Sequence, residues 1–120
     1  MTAQGPQGLE RIINATKYSL KGLTKSFQNE AAFRQELFLV MILLPIGLWL
    51  GDTGIEKAIL TLVLIIVLIV ELLNTAIEAA IDRFGGEHHK LSGYAKDAAS
   101  AAVFVSLINV LVVWSLVLLF

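Results

Sequence analysis

The sequence contains no cysteine, which excludes disulfides, thiolate zinc sites, iron–sulfur clusters and cysteine nucleophiles. Charge is scarce too. Asp, Glu, Lys and Arg make up 16% of the 120 residues, and nine Lys and Arg nearly balance ten Asp and Glu, so no basic excess points to nucleic acid as a partner. The chain has no Gly-x-x-x-x-Gly-Lys-Ser/Thr phosphate loop, no nucleophile-elbow serine, no His-Glu-x-x-His zinc helix and no kinase catalytic-loop signature. Carboxylates, two histidines, a few cations, amides and hydroxyls are left for any chemistry.

What the chain has in abundance is apolar surface. Hydrophobic residues make up 57% of it and the mean hydropathy is +0.78, too high for a soluble domain of this size. Three membrane-crossing helices of about 20 residues each would use half of the chain and leave no room for a separate catalytic domain. Residues 1–8 carry Pro6 and two glycines without a basic segment leading into an apolar core, so they read as a short tail rather than a secretory signal.

Over residues 9–28 the side chains of Leu9, Ile12, Ile13, Thr16, Leu20, Leu23 and Phe27 fall on one helical face, with Lys17, Lys21 and Lys25 in a stripe to one side. In a chain that supplies its own bilayer, that pattern predicts a helix lying in the membrane interface. Leu37 to Leu50 is uncharged but short for a span, so the first membrane helix is extended back to about residues 31–50, with Arg34, Gln35 and Glu36 near the headgroups and Pro45 as a possible kink point.

Gly51-Asp52-Thr53-Gly54 is a tight turn, and Thr53 with Glu56 three residues on matches a capping box. The second span is placed at about 55–84, the polar loop at 85–93 and the third span at about 98–120. Arg11, Lys17, Lys21, Lys25 and Arg34 precede the first span, and Arg83, Lys90 and Lys96 surround the second loop, whereas the turn between the first two spans offers Lys57. The positive-inside rule then puts the N-terminus and the loop in the cytoplasm and the C-terminus outside, which in a bacterium means the inner membrane.

The most informative pattern lies on the second span. After the apolar run Ala58 to Val70, broken by nothing more polar than Thr61, come Glu71, Asn74, Glu78 and Asp82. Taken from Glu71, the other three lie at about −60°, −20° and +20° around the helix, so all four share a face. Glu71 sits about 16 Å deeper than Asp82 along the axis. Interhelical hydrogen bonding would account for Asn74 alone. Three acids on one stripe repel one another, and a hard divalent cation shared with substrate phosphates relieves that repulsion. With Arg83, Lys90 and Lys96 close in sequence, the residues point to phosphoryl transfer onto a membrane-dissolved acceptor. Intramembrane acids also mark proton relays, but carriers place them near the midplane of repeated, broken helices, and no repeat is present. A non-catalytic membrane subunit is the other alternative. The adjacent His88 and His89 carry no metal-ligand spacing.

Three stretches resemble the small integral-membrane diacylglycerol kinases of bacteria: Asn29-Glu-Ala-Ala-Phe-Arg-Gln-Glu36, Val70-Glu-Leu-Leu-Asn-Thr-Ala-Ile-Glu-Ala-Ala-Ile-Asp82, and Leu91-Ser-Gly-Tyr-Ala-Lys-Asp-Ala-Ala-Ser-Ala-Ala102. The resemblance runs from about Arg11 to the C-terminus. It implies an all-α homotrimer of three-span subunits, each with an N-terminal surface helix, that uses MgATP to convert diacylglycerol to phosphatidic acid at sites shared between subunits.

Carried onto matching positions, it implies Glu71 as the base on the lipid hydroxyl, Asn74 beside the reacting centre, and Glu30 and Glu78 as ligands of Mg2+. Lys96 would hold phosphate with Asp97 in support. Tyr18, Ser19, Asp82 and His89 would join Glu30, Glu78, Lys96 and Asp97 around ATP, and Arg11, Glu36 and Ser100 would join Glu71 around the lipid. The related undecaprenol kinases share the acidic stripe and the Lys-Asp pair. The runs Asp82-Arg-Phe-Gly-Gly-Glu-His-His-Lys-Leu-Ser-Gly93 and Ile12-Ile-Asn-Ala-Thr-Lys-Tyr-Ser-Leu-Lys-Gly22 are similar to the diacylglycerol branch, although Leu20 stands where an aromatic residue is often found.

Overall fold

A computed structural model describes residues 7–85 and 89–120 and consists of four helices: α1 (Leu9–Asn29), α2 (Ala31–Leu50), α3 (Gly54–Asp82) and α4 (Lys90–Leu119). The tail Met1 to Pro6 and the loop residues Gly86, Glu87 and His88 lie outside the described residues. Helices α2, α3 and α4 are each long and apolar enough to cross a membrane, which makes this an all-α membrane protein.

The helix ends follow from local chemistry. Thr53 accepts a hydrogen bond from the backbone N–H of Glu56 at 3.1 Å and opens α3. The capping box is shifted by one residue, because Glu56 reaches back to the N–H of Asp52, at 3.4 Å, rather than to that of Thr53. At the far end of α3 the last turn tightens, with Phe84 N–H bonded to the Ile81 carbonyl, and Gly85 takes a left-handed φ of 69° that ends the helix. Pro45 removes one donor, yet α2 continues through it to Leu50.

One boundary differs from the sequence reading. Helix α4 opens at Lys90, not near Ala98, so Leu91 to Asp97 belong to the helix and the expected loop of 85–93 is shorter. The reason is a cap: Nδ1 of His89 accepts the N–H of Leu91 at 3.0 Å. Apolarity locates the part of a helix that lipid covers, and here the helix runs about two turns beyond it.

Helix α3 is the centre of the packing. Leu60, Val63, Leu64, Val67 and Glu71 are its buried residues, a seam at helical spacing. Val63, Leu64 and Val67 pack with Val40 of α2 and Val110 of α4, with Leu43, Leu44, Leu107 and Trp114 around them. Trp114 also donates from its indole nitrogen to the Leu60 carbonyl at 3.1 Å. Gly47 lets α2 approach this point, since a Cβ there would lie 3.2 Å from the Trp114 ring and 3.3 Å from Leu60 Cβ.

Trp114→Phe keeps an aromatic ring but deletes the donor. It is expected to lower stability by about 0.6 kcal/mol and by no more than about 1.7 kcal/mol, the average and the maximum for hydrogen bonds between membrane helices. Gly47→Leu is expected to cost more, by wedging α2 away from α3 and α4. Unfolding midpoints in mixed micelles measure both, and an unchanged midpoint for Trp114→Phe would show that the bond carries no weight.

Candidate active site

The acidic stripe continues the apolar seam. Leu60, Leu64 and Val67 lead into Glu71, then Asn74, Glu78 and Asp82, so the face that packs the bundle turns acidic toward the end of α3. Glu71 is 2% exposed, as enclosed as the leucines before it. Asn74 donates to its Oε1 at 3.4 Å. From α2 the Glu36 carboxyl lies against that of Glu71, close enough for a hydrogen bond between them. Two carboxylates in contact repel unless a proton, a cation or a hydroxyl stands between them. Oε2 of Glu36, Oδ1 of Asn74 and Oγ1 of Thr75 are buried with no partner, so the enclosed end of the stripe holds unused hydrogen-bonding capacity.

The outer end is an open, charged surface. Lys96 of α4 pairs with Asp82 at 2.9 Å, both side chains substantially exposed, and Glu78 is near enough to act on the same ammonium. This is the one ion pair among the described residues. If Lys96 is to hold phosphate, the pair opens or Asp82 stays as the ammonium's second partner. Asp97 follows Lys96 on α4 and is exposed, as is Ser100 one turn further along.

Glu30 is placed by helix register. Gly47 meets Leu60 and Glu36 meets Glu71 across α2 and α3. Extended to the start of α2, the same antiparallel register levels Glu30 with Ile77 and Glu78. Glu30 and Glu78 thus offer hard oxygen donors at one height. No set of three His, Asp or Glu side chains converges among the described residues, so a Mg2+ ion on these two acids would draw its other ligands from phosphate oxygens and water. That is the usual habit of Mg2+, and the donor chemistry fits it.

Helix α1 flanks the stripe. A groove of about 520 Å3 runs between it and α3, lined by Ser19, Gly22, Leu23, Lys25 and Ser26 on one side and Leu72, Thr75, Ala76 and Ala79 on the other. Ser19 borders this groove, although its hydroxyl bonds the Ala15 carbonyl of its own helix at 2.9 Å. Tyr18 is 68% exposed, Arg11 lies exposed in the first turns of α1, and neither is brought onto the stripe within this single chain. His89 has Nδ1 engaged in capping α4, which leaves Nε2 for any ligand.

Two residues were not singled out as site residues from the sequence. Thr75 adjoins Asn74, lines the groove, and has a buried, unpartnered hydroxyl. Its signal was a hydroxyl directly beside Asn74, between Glu71 and Glu78. Arg34 reaches across to α1, and its signal was a cation in the first turn of a helix, where the dipole disfavours one.

Residues 17–118 match the family of prokaryotic diacylglycerol kinases. A diacylglycerol kinase of Haemophilus influenzae is 50% identical over 113 residues, covering 94% of this chain and 96% of its own length. One from Pseudomonas aeruginosa is 48% identical over 116 residues, covering 97% and 94% respectively. A more distant one from Helicobacter pylori is 36% identical over 113 residues, covering 94% and 88%.

Proposed function

The chain belongs to the prokaryotic diacylglycerol kinase family and is a kinase, and from that premise we propose that it transfers the γ-phosphate of ATP to the primary hydroxyl of diacylglycerol, forming phosphatidic acid and ADP. One observation carries this reading. A single helix seam passes from an enclosed carboxyl cluster, Glu71 with Glu36 and Asn74, to an exposed cluster of Glu78, Asp82 and Lys96. A lipid alcohol and a water-soluble nucleotide can meet along it from opposite ends.

The roles are those the family resemblance implies for these residues. Glu71 takes the proton of the glycerol hydroxyl as it attacks, and Asn74 holds the Glu71 carboxylate in place through its amide. Glu36, on the other side of that carboxyl, aligns the hydroxyl from the lipid side together with Arg11 and Ser100. Lys96 swings from Asp82 to the γ-phosphate, where its charge counts most in the transition state, and Asp97 supports it. Glu30 and Glu78 would hold Mg2+, which would supply charge neutralisation on the phosphates. Tyr18, Ser19, Asp82 and His89 complete the nucleotide side. Most of the acceleration comes from alignment and charge neutralisation, so no protein nucleophile is required.

The same reading makes α1 an interfacial helix with Leu9, Ile12, Ile13, Leu20, Leu23 and Phe27 toward lipid, all of them exposed on the single chain. The assembly is a homotrimer with sites completed by neighbours, in the inner membrane, with the N-terminus and the α3–α4 loop in the cytoplasm. The test is to present purified protein with labelled ATP and Mg2+ to diacylglycerol and undecaprenol in separate vesicle preparations. Label is expected in phosphatidic acid, with little in undecaprenyl phosphate. Preference for undecaprenol would overturn the acceptor, and transfer to neither lipid would remove the reaction.

A further inference from the structure

Helix α1 is held to the rest of the chain lightly. Ser26 is its one buried residue, and no basic side chain lies in its own last turn to meet the carbonyls exposed there. A single residue, Glu30, separates it from α2 in an extended conformation (φ −116°, ψ 109°). A one-residue joint of this kind leaves the angle between two helices to whatever bridges them.

The bridge is Arg34. Its Nη1 donates to the Phe27 carbonyl at 2.7 Å and to the Gln28 carbonyl at 3.1 Å, so one guanidinium nitrogen closes the end of α1 from the first turn of α2. The placement is unfavourable for α2, whose positive dipole end repels a cation, and favourable for α1, whose negative end attracts one. A positive charge kept at the wrong end of its own helix is accounted for by the partner it reaches. Among the described residues no carboxylate pairs with Arg34, and these two carbonyls are the partners of its Nη1.

We propose that Arg34 is a positioning residue for phosphate transfer: by bracing α1 against α2 it fixes the direction of the Glu30 side chain and holds α1 beside the acidic stripe, along Leu72 to Ala79, without touching substrate. The proposal rests on the kinase reading for what Glu30 does, and on the structure alone for the brace. Ser26, Lys25 and Ser19 lie along Leu72 to Ala79 only while the joint at Glu30 keeps its angle. A small rotation there moves Glu30 away from Glu78 and lifts α1 from α3. Because the two bonds leave from one nitrogen, a lysine ammonium, which carries its donors on a single atom, can reproduce them in part, whereas a neutral amide cannot supply the charge.

The experiment compares wild type, Arg34→Gln and Arg34→Lys as full chains in phospholipid vesicles, with kcat and KM measured separately. The absence of cysteine allows nitroxides at Ile13→Cys on α1 and Leu91→Cys on α4, with labelled chains diluted in unlabelled ones to report the distance within one subunit. Arg34→Gln is expected to lower kcat about ten- to a hundredfold, the scale of a small misplacement of reacting groups. KM for diacylglycerol is expected to stay nearly unchanged while the α1–α4 distance distribution broadens, and Arg34→Lys is expected to restore most of both. An unchanged distance distribution in Arg34→Gln would overturn the proposal, as would a loss confined to a raised diacylglycerol KM, which marks direct contact with the lipid. If the wild-type chain transferred no phosphate at all, the kinase reading would fall, and the distance comparison would still decide whether Arg34 braces α1.

Discussion

Replacing Glu71 with glutamine is expected to cut turnover about 10²- to 10⁴-fold, the usual contribution of a positioned general base, while leaving the assembled protein intact. Glutamine has nearly the shape of glutamate and keeps one carbonyl oxygen for the Asn74 amide, now at 3.4 Å from Oε1. It also brings an NH2 group that can donate to Glu36, so the enclosed cluster gains a partner where two carboxyls now face each other. Packing along the seam is preserved. What is lost is the ability to accept the proton of the attacking hydroxyl. Glu71→Ala is the poorer test, because it opens a cavity beside Val67 in the centre of the bundle. Steady-state kinetics, helicity and oligomer size measured on one preparation separate the outcomes. Turnover near wild type would remove Glu71 from the chemistry, and dissociation of the oligomer with a proportional loss of activity would make it glue between helices.

Lys96→Ala carries the second large effect. If Lys96 meets the transferred phosphoryl group as proposed, removing it is expected to lower kcat about 10²- to 10³-fold, comparable to loss of one preorganised electrostatic partner. Stability is expected to stay close to wild type, because the Lys96–Asp82 pair is an exposed surface salt bridge screened by solvent. This combination distinguishes a phosphate ligand from a structural ion pair. Asp82→Asn breaks the same bridge from the other side and keeps the ammonium, so it is expected to retain far more activity than Lys96→Ala. Equal losses in the two variants would show that the lysine has no role beyond its pairing with Asp82 and the nucleotide side that Asp82 serves.

Much of this was readable in advance for a physical reason. Uninterrupted apolar runs identify membrane helices because lipid demands them, and polar residues at helical spacing on such a run share a face whatever surrounds it. Thr53 likewise announced the start of α3. Contacts that join residues far apart in sequence left no such trace. That Glu36 meets Glu71 depends on the register of α2 against α3, which Gly47 sets by admitting Leu60 and Trp114 so closely. The start of α4 was hidden because its first turns are polar and rest on a cap by His89. Nor does spacing reveal that the acidic stripe and the packing seam are one line of residues from Leu60 to Asp82, since that requires knowing which face of α3 is buried. Seen in the fold, the scarcity of charge acquires a location: it is gathered where the core ends.

The central claim is that this line of residues passes phosphate directly from nucleotide to lipid. Acid-quenched turnover with γ-labelled ATP in vesicles containing diacylglycerol tests it most directly, with label followed in both lipid and protein through the first cycles. Label is expected in phosphatidic acid from the first turnover and none on the protein. Label appearing on Glu71 before it reaches the lipid would contradict it.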